Sequence, residues 1–343
     1  MKIDKLTYVL GPCSAESREQ VIETVSRICD LRLKIEDFQF IFRAGVWKPR
    51  TSPQTFQGVG EEGLQWLAEV KERFGISVAT EVATPEHVCL ALEAGIDYLW
   101  IGARTSANPI AVQSIAERIR GLVDEGISGL KGILIKNPVN ADAGLWLGNI
   151  ERLERTGVPV MAVHRGCNHQ PCWHMAHEVR LVRPDIPMLL DPSHMSGDAA
   201  KVPALLHKVE ELGLDGAMVE VHCNPAEALS DSAQQMTPEE FKIQNSKFKI
   251  QNSLELNWLR AEIDELDETL WDTIEARMEV SRHIGEWKKA HGVAPLQPER
   301  YQQIVDKLKI KNEKLKMKGF ALDEDFMLRI WEIIHEQSLR EQE

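Results

Sequence analysis

The chain contains no apolar run approaching the roughly 20 residues of a bilayer-spanning helix, so no membrane association is expected. Its six cysteines (Cys13, Cys29, Cys89, Cys167, Cys172 and Cys223) lack the spacing of a disulfide scaffold, which predicts a reducing, cytoplasmic setting. Positive charge is in deficit, with a net charge of -13, and nucleic acid or an anionic membrane is not expected as the main partner. The opening Met1-Lys2-Ile3-Asp4-Lys5 has no apolar segment of signal-peptide length. No glycine-rich dinucleotide turn directly follows a predicted strand and no Walker loop occurs, so nucleotide binding is not expected. A local basic pit for a small anionic substrate is compatible with all of this.

What is present is enough apolar material for a large core: 343 residues, 43% hydrophobic and 27% charged. That length predicts two domains, or one large barrel with an addition. Eight strand-length apolar runs recur: Thr7–Leu10, Phe40–Phe42, Ile76–Thr80, Ile96–Ile101, Gly132–Ile135, Pro159–Val163, Ile186–Leu190 and Ala217–Val221. Most gaps carry helical patterning, as in Glu61–Phe74, Pro85–Ala94 and Pro109–Leu122. Strands alternating with helices imply parallel pairing through crossovers. Eight of them over residues 1–240 predict a (β/α)8 TIM barrel.

Each run ends on chemistry. In order the ends carry Cys13; Arg43 with Lys48-Pro49-Arg50-Thr51-Ser52-Pro53; Glu81; Arg104; Lys136; His164 and Arg165; Asp191 and His194; Glu220 and His222. Barrel active sites lie at the carboxyl ends of the strands, so all of these are expected to converge on one pit. Taken singly, each is as easily a solvated strand end; the recurrence argues for a site. Cys13, His194, Glu220 and Asp231 are donors suited to a divalent transition ion. Arg43, Lys48, Arg50, Arg104, Lys136 and Arg165 are cations that would repel one another unless anions lay among them. Metal plus several anion clamps points to condensation or transfer among phosphorylated acids and sugars. The Lys48–Pro53 loop, stiffened by two prolines, suits a phosphate-binding lip.

The ordered set Gly11-Pro12-Cys13-Ser14, Phe42-Arg43-Ala44-Gly45, Lys48-Pro49-Arg50-Thr51-Ser52-Pro53, Gly102-Ala103-Arg104, Ile135-Lys136-Asn137, His164-Arg165-Gly166, Asp191-Pro192-Ser193-His194 and Val219-Glu220-Val221-His222 resembles the type I beta DAHP synthases. That resemblance implies condensation of phosphoenolpyruvate with erythrose 4-phosphate, at the start of aromatic amino-acid synthesis. It also implies one divalent metal ion (Mn2+, Fe2+, Co2+ or Zn2+) on Cys13, His194, Glu220 and Asp231. Arg43, Arg104, Lys136 and Arg165 would clamp phosphoenolpyruvate, with Lys48 between the two substrates. Lys48, Pro49, Arg50 and Thr51 would hold the aldose phosphate, and Lys136 and Glu81 would handle protons. The related KDO 8-phosphate synthases look similar but carry Lys-Ala-Asn-Arg-Ser in place of Lys48-Pro49-Arg50-Thr51-Ser52. Ser232 departs from the usual glycine after the metal aspartate.

His164, Cys167, His169, Cys172, His174 and His177 crowd one stretch, but their spacing fits no standard structural zinc pattern. Farther on, Phe241-Lys242-Ile243-Gln244-Asn245-Ser246 is repeated as Phe248-Lys249-Ile250-Gln251-Asn252-Ser253, a duplicated linker over residues 241–253.

Beyond it the period changes. Leu259, Ile263, Leu266, Leu270, Ile274, Met278 and Ile284 follow three-and-four spacing in a proline-free segment, predicting one helix from about Leu254 to Ala290. Two shorter helices, about Pro298–Met317 and Asp323–Gln342, complete an all-α tail over 254–343. Arg277 and Lys288 are three turns apart and share a face, whereas Arg260 lies roughly 25 Å away along the axis and could serve only the pocket of an antiparallel partner. Leu259-Arg260-Ala261-Glu262-Ile263-Asp264-Glu265-Leu266-Asp267 resembles the opening of the all-helical chorismate mutases, which implies a three-helix domain that dimerises. By that resemblance Arg260 of the other subunit, Arg277, Lys288, Arg300, Ser338 and Gln342 bind chorismate, and Lys288 and Gln342 act on its ether oxygen. Tyr301 departs from the family's usual glutamate, whose carboxylate is then either lost or supplied by Glu299. The expectation is a bifunctional, at least dimeric enzyme with prephenate as product and inhibitor. The alternatives are a catalytically silent sensing tail and a KDO 8-phosphate synthase-like barrel.

Overall fold

The structure is a computed structural model that describes residues 6–31, 38–49, 52, 54–126, 129–245, 255–317 and 322–342. Two compact units divide the chain, Met1–Ile263 and Asp264–Glu343. In the first, eight parallel strands close a barrel in sequence order: β1 (Leu6–Gly11), β2 (Phe38–Arg43), β3 (Ser77–Val82), β4 (Tyr98–Ile101), β5 (Gly132–Lys136), β6 (Val160–His164), β7 (Met188–Leu190) and β8 (Gly216–Glu220). Closure pairs Thr7 with Gly216 and Gly11 with Glu220. The helices between them are α1 (Arg18–Asp30), α2 (Glu61–Phe74), α3 (Pro85–Glu93), α4 (Ala103–Ser106), α5 (Pro109–Asp124), α6 (Ala143–Glu154), α7 (Trp173–Val182), α8 (Pro192–Ser196), α9 (Val202–Glu211) and α10 (Pro238–Asn245).

Burial on both faces explains the continuous apolar runs. One face fills the barrel with Val9, Ile41, Ala79, Tyr98, Trp100, Leu134, Met161, Val163, Leu189 and Met218. The other meets the apolar stripes of the helices, such as Leu64, Leu67 and Val70 of α2 and Val112, Ile115 and Ile119 of α5. Local sequence starts these helices where expected. Ser17, Thr84, Asn108 and Asp142 each accept a hydrogen bond from a first-turn amide, and Pro85 and Pro109 occupy the first turn, where no amide is needed. α10 packs on the barrel's outer face through Phe241, which meets Tyr8 edge-on at 5.9 Å. Most of the duplicated linker, residues 246–253, lies outside the described residues.

Gly58-Val59-Gly60-Glu61-Glu62-Gly63 carries dinucleotide-turn spacing at the start of α2, yet it serves packing. A Cβ at Gly58 would stand 2.2 Å from the Val46 carbonyl oxygen, and one at Gly63 would stand 2.7 Å from a Val46 methyl. Glu61 and Glu62 in the first turn would repel a pyrophosphate.

The second unit contains most of α11 (Glu255–His291), with α12 (Pro298–Met317) and α13 (Glu324–Arg340). At 37 residues α11 is roughly 55 Å long. Asn312 bonds the backbone of Leu322 in both directions and so ties α12 to α13. Among this unit's described residues only two apolar side chains, Met278 and Val305, are buried, while Leu270, Trp271, Val280, Ile284, Trp287, Ile310, Phe326, Ile330 and Ile333 are exposed.

Candidate active sites

Alternation along a strand decides which end residues reach the barrel's mouth. Counting on by twos from the interior residues gives Cys13, Arg43, Glu81, Lys136, Arg165, Asp191 and Glu220. A cavity of about 310 Å³ is lined by Lys48, Pro49, Glu81, Arg104, Lys136, Arg165, His194 and Asp231, together with Trp100, Asn168 and His169.

The donor atoms of Cys13, Glu220 and Asp231 all lie within 4.8 Å of one another. His194, the fourth expected donor, stands outside that group, with Nε2 3.6 Å from Glu220. Burial first, then the neighbouring carboxylate of Glu220, pushes the Cys13 thiol up to about 12, so the site as it stands disfavours the thiolate and would be relieved by a cation. Thiolate, imidazole and two carboxylates are a fitting donor set for a divalent transition ion. The set is held from behind. Cys13 N–H donates to Gln235 Oε1 at 3.0 Å, Gln234 Nε2 donates to Glu220 at 2.7 Å, and Glu220 N–H donates to Ser193 Oγ at 3.0 Å.

Cations surround this corner. Lys48 Nζ donates to both the carbonyl oxygen and Sγ of Cys13, at 3.1 and 3.0 Å. Its burial opposes the charge, but Cys13, Glu81 and Glu220 outweigh that and hold the ammonium above its ordinary pKa. Arg43, 1% exposed, stacks 4.6 Å over the Trp100 ring and donates Nη2 to Glu220 at 3.1 Å. Its Nε and Nη1, like Nε of Arg165, are buried with no partner among the described residues. Donors left bare in this way favour binding an anion. Lys136 Nζ lies 2.6 Å from Asp191, which also holds Nδ1 of His194 at 3.0 Å. Asp191 is burdened by its own burial, yet His194 and Lys136 keep it well below the usual carboxylate range.

Two strand-end histidines depart from the expected convergence. His164 follows Val163, an interior residue, so it turns outward between Trp146 and Trp173, with ring centroids 6.2 and 5.3 Å away. Its Nε2 donates to the Pro171 carbonyl at 2.7 Å, and burial holds its pKa down to about 4. His222 lies beyond its strand and faces Glu16 at 3.8 Å. Gln234, Gln235 and Asn168 were not singled out by the sequence, whereas Asp191, expected among the converging strand ends, is there, against Lys136 and His194. Arg50 and Thr51 lie outside the described residues, so of the four residues expected to hold the aldose phosphate only Lys48 and Pro49 are placed.

In the helical unit, Arg277 hydrogen-bonds Ser338 Oγ and the Ile334 carbonyl, and Lys288 Nζ donates to Gln342 Oε1 at 2.8 Å and to the Pro295 carbonyl at 2.6 Å. Four of the six residues expected to meet chorismate are therefore paired. Arg300 is exposed beside Gln303, Glu299 is exposed, and Arg260 is exposed in α11.

The family model described as DAHP synthetase I family matches residues 2–253. The chain belongs to that family. The model for chorismate mutase type II matches residues 259–343, and this DAHP synthase chain ends in that domain. A phospho-2-dehydro-3-deoxyheptonate aldolase of Thermotoga maritima is 31% identical over 243 residues, covering 69% of this chain and 67% of the relative. A 2-dehydro-3-deoxyphosphooctonate aldolase of Desulfatibacillum aliphaticivorans is 28% identical, covering 68% and 87%. The crystal structure of the Thermotoga maritima DAHP synthase superposes with a TM-score of 0.59 at 27% identity, over 71% of this chain and 68% of that one. DAHP synthase and chorismate mutase domains on one chain make this a bifunctional shikimate-pathway enzyme.

Within the mutase domain the approach of α13 to α11 depends on Gly285, where a Cβ would stand 2.6 Å from the Gln342 Cα. Overpacking there costs about 1–3 kcal/mol and displaces Gln342 from Lys288, so Gly285→Ala should slow chorismate consumption by about tenfold or more, followed by loss of its absorbance.

Proposed function

We propose that the barrel pit binds one divalent transition ion on Cys13, His194, Glu220 and Asp231 and there joins phosphoenolpyruvate to erythrose 4-phosphate. The observation that carries this is the gathering of the thiol and carboxylates beside buried, unpartnered guanidinium nitrogens. A bound ion supplies Lewis acidity toward the aldehyde carbonyl. The protein's own residues do the rest. Arg43, Arg104, Lys136 and Arg165 hold the phosphate and carboxylate of phosphoenolpyruvate, with Arg43 already fixed by Trp100 and Glu220. Lys48 stands between the two substrates, and Lys48, Pro49, Arg50 and Thr51 receive the aldose phosphate. Attack by the enol carbon leaves a cationic carbon that takes up water. Lys136, oriented by Asp191, and Glu81 handle that water's protons before phosphate leaves.

The helical domain, over residues 254–343 by our reading, acts by preorganisation alone, because the rearrangement of chorismate to prephenate needs no nucleophile or base. Arg277 and Arg300 fix the two carboxylates in a compact conformer. Lys288 and Gln342 meet the ether oxygen as it gains charge. Arg260 comes from a second subunit, since about 25 Å of helix separates it from Arg277. The exposed Leu270, Trp271, Val280, Ile284 and Trp287 on α11 support dimerisation, for a helical unit with so little buried apolar surface is poorly stable alone.

Linking a reaction at the head of a pathway to one at its branch point favours feedback, with prephenate bound at the mutase site restraining the synthase. The test is a paired assay of the intact chain, with chelator, with each divalent ion restored, and with prephenate added. Loss of synthase activity on chelation and its rescue by a divalent ion support the metal reading; activity untouched by chelation refutes it. Synthase rates unmoved by prephenate refute the feedback. Chorismate bound without turnover would make the tail a sensor.

A further inference from the structure

One face of α13 carries more than the two expected mutase residues. Trp331, His335 and Ser338 recur at four-three spacing, which lines them along a single stripe, and Gln342 lies just past the helix end. Ser338 and Gln342 are the partners of Arg277 and Lys288. The two residues above them end in buried polar atoms, Trp331 Nε1 and His335 Nε2, that have no partner among the described residues. Buried polar atoms are nearly always paired, so two on one stripe, beside two cations, indicate a site awaiting a polar ligand. The rings are held in place by a column. The Arg277 guanidinium lies 5.0 Å over Trp331, Trp331 stacks on His335 at 5.9 Å, and His335 meets Tyr301 at 4.7 Å.

Resting on the chorismate mutase reading of this domain, we propose that His335 is a substrate-contacting residue whose Nε2 hydrogen-bonds the ring hydroxyl of chorismate. Tyr301 is its positioning residue. The cations Arg277 and Lys288 are matched to the carboxylates and the ether oxygen, which leaves the hydroxyl as the neutral polar group still needing a partner. An imidazole suits it in either tautomer, because a hydroxyl both donates and accepts. Burial, with Arg277 and Lys288 nearby, lowers the pKa of His335 and so favours the neutral ring. Glu299, the carboxylate that might have served, is exposed.

The test uses the full-length chain with chorismate and with its analogue lacking the ring hydroxyl, comparing wild type, His335→Leu and His335→Gln. A site built around a hydroxyl discriminates against the analogue that lacks it. Wild type is expected to prefer chorismate, and His335→Leu to lose about tenfold in kcat/KM for chorismate while treating both compounds alike. His335→Gln, which keeps a polar end, should recover much of the loss. The assignment is overturned if His335→Leu retains the wild-type rate or the wild-type preference. Should His335→Leu show no cooperative helical melt, the wild-type ratio decides, and no preference for chorismate overturns the assignment. A wild-type chain that turns over neither compound defeats the mutase reading itself, a different outcome from turnover that ignores His335.

Discussion

Cys13→Ala is expected to lower DAHP formation by more than about a thousandfold, since Lewis-acid polarisation is worth several kcal/mol and each 1.4 kcal/mol is tenfold in rate. The substitution removes one of the three donors, with Glu220 and Asp231, whose atoms lie within 4.8 Å of one another. It also removes the acceptor of one Lys48 hydrogen bond and so frees the lysine expected between the substrates. Metal content per chain should fall with activity, and chorismate consumption should persist, because Cys13 belongs to a different unit from Arg277, Lys288, Ser338 and Gln342. Cys13→Ser, which keeps a weaker oxygen donor, should fall between. Full phosphoenolpyruvate-dependent phosphate release by the alanine variant would refute the metal assignment.

Much of the barrel was legible because its strands are buried on both faces, which turns each into an unbroken apolar run with chemistry at its end. The ends themselves were blurred by a residue or two. Arg43 and Lys136 close their strands and do not follow them, because ladder pairing continues past the last apolar residue. The expectation that every strand end converges overreached at His164. Val163 already occupies the inside, so its neighbour must face the helices, and a period-two count from the interior would have said so. Other parts had no sequence signal. Gln234 and Gln235 reach Glu220 and Cys13 only because Asp231, at φ 46°, turns the chain into the left-handed region. Asn168 and His169 line the cavity from a loop of the same handedness, and loops have no period to read. In the helical unit, three-and-four spacing exposed the lengths of α11 to α13 but not which stripe is covered, since that depends on a partner surface. That Arg277, Lys288, Ser338 and Gln342 share a site followed from motif resemblance, whereas their mutual pairing and the ring column around His335 appear only once the helices are packed.

Arg277→Ala should abolish chorismate rearrangement while DAHP formation continues without prephenate. Arg277 is partly buried, and burial lowers its pKa, though far from enough to discharge a guanidinium. Its charge therefore persists against the ring of Trp331 and beside Ser338, awaiting an anionic partner. Charged hydrogen bonds contribute about 1.5–3 kcal/mol each, and a carboxylate held by two of them loses about 3–6 kcal/mol on truncation, or roughly 10²–10⁴ in kcat/KM. Because preorganisation is this reaction's only catalysis, the loss should appear in kcat as well as KM: a substrate bound without its clamp spends less time in the compact conformer. Arg277→Lys keeps the charge but not the fork, and should remain closer to alanine than to wild type. The same alanine variant bears on regulation. If prephenate restrains the synthase through the mutase pocket, Arg277→Ala should leave DAHP formation insensitive to prephenate at concentrations that inhibit the wild type. Inhibition that survives unchanged would place the effector elsewhere.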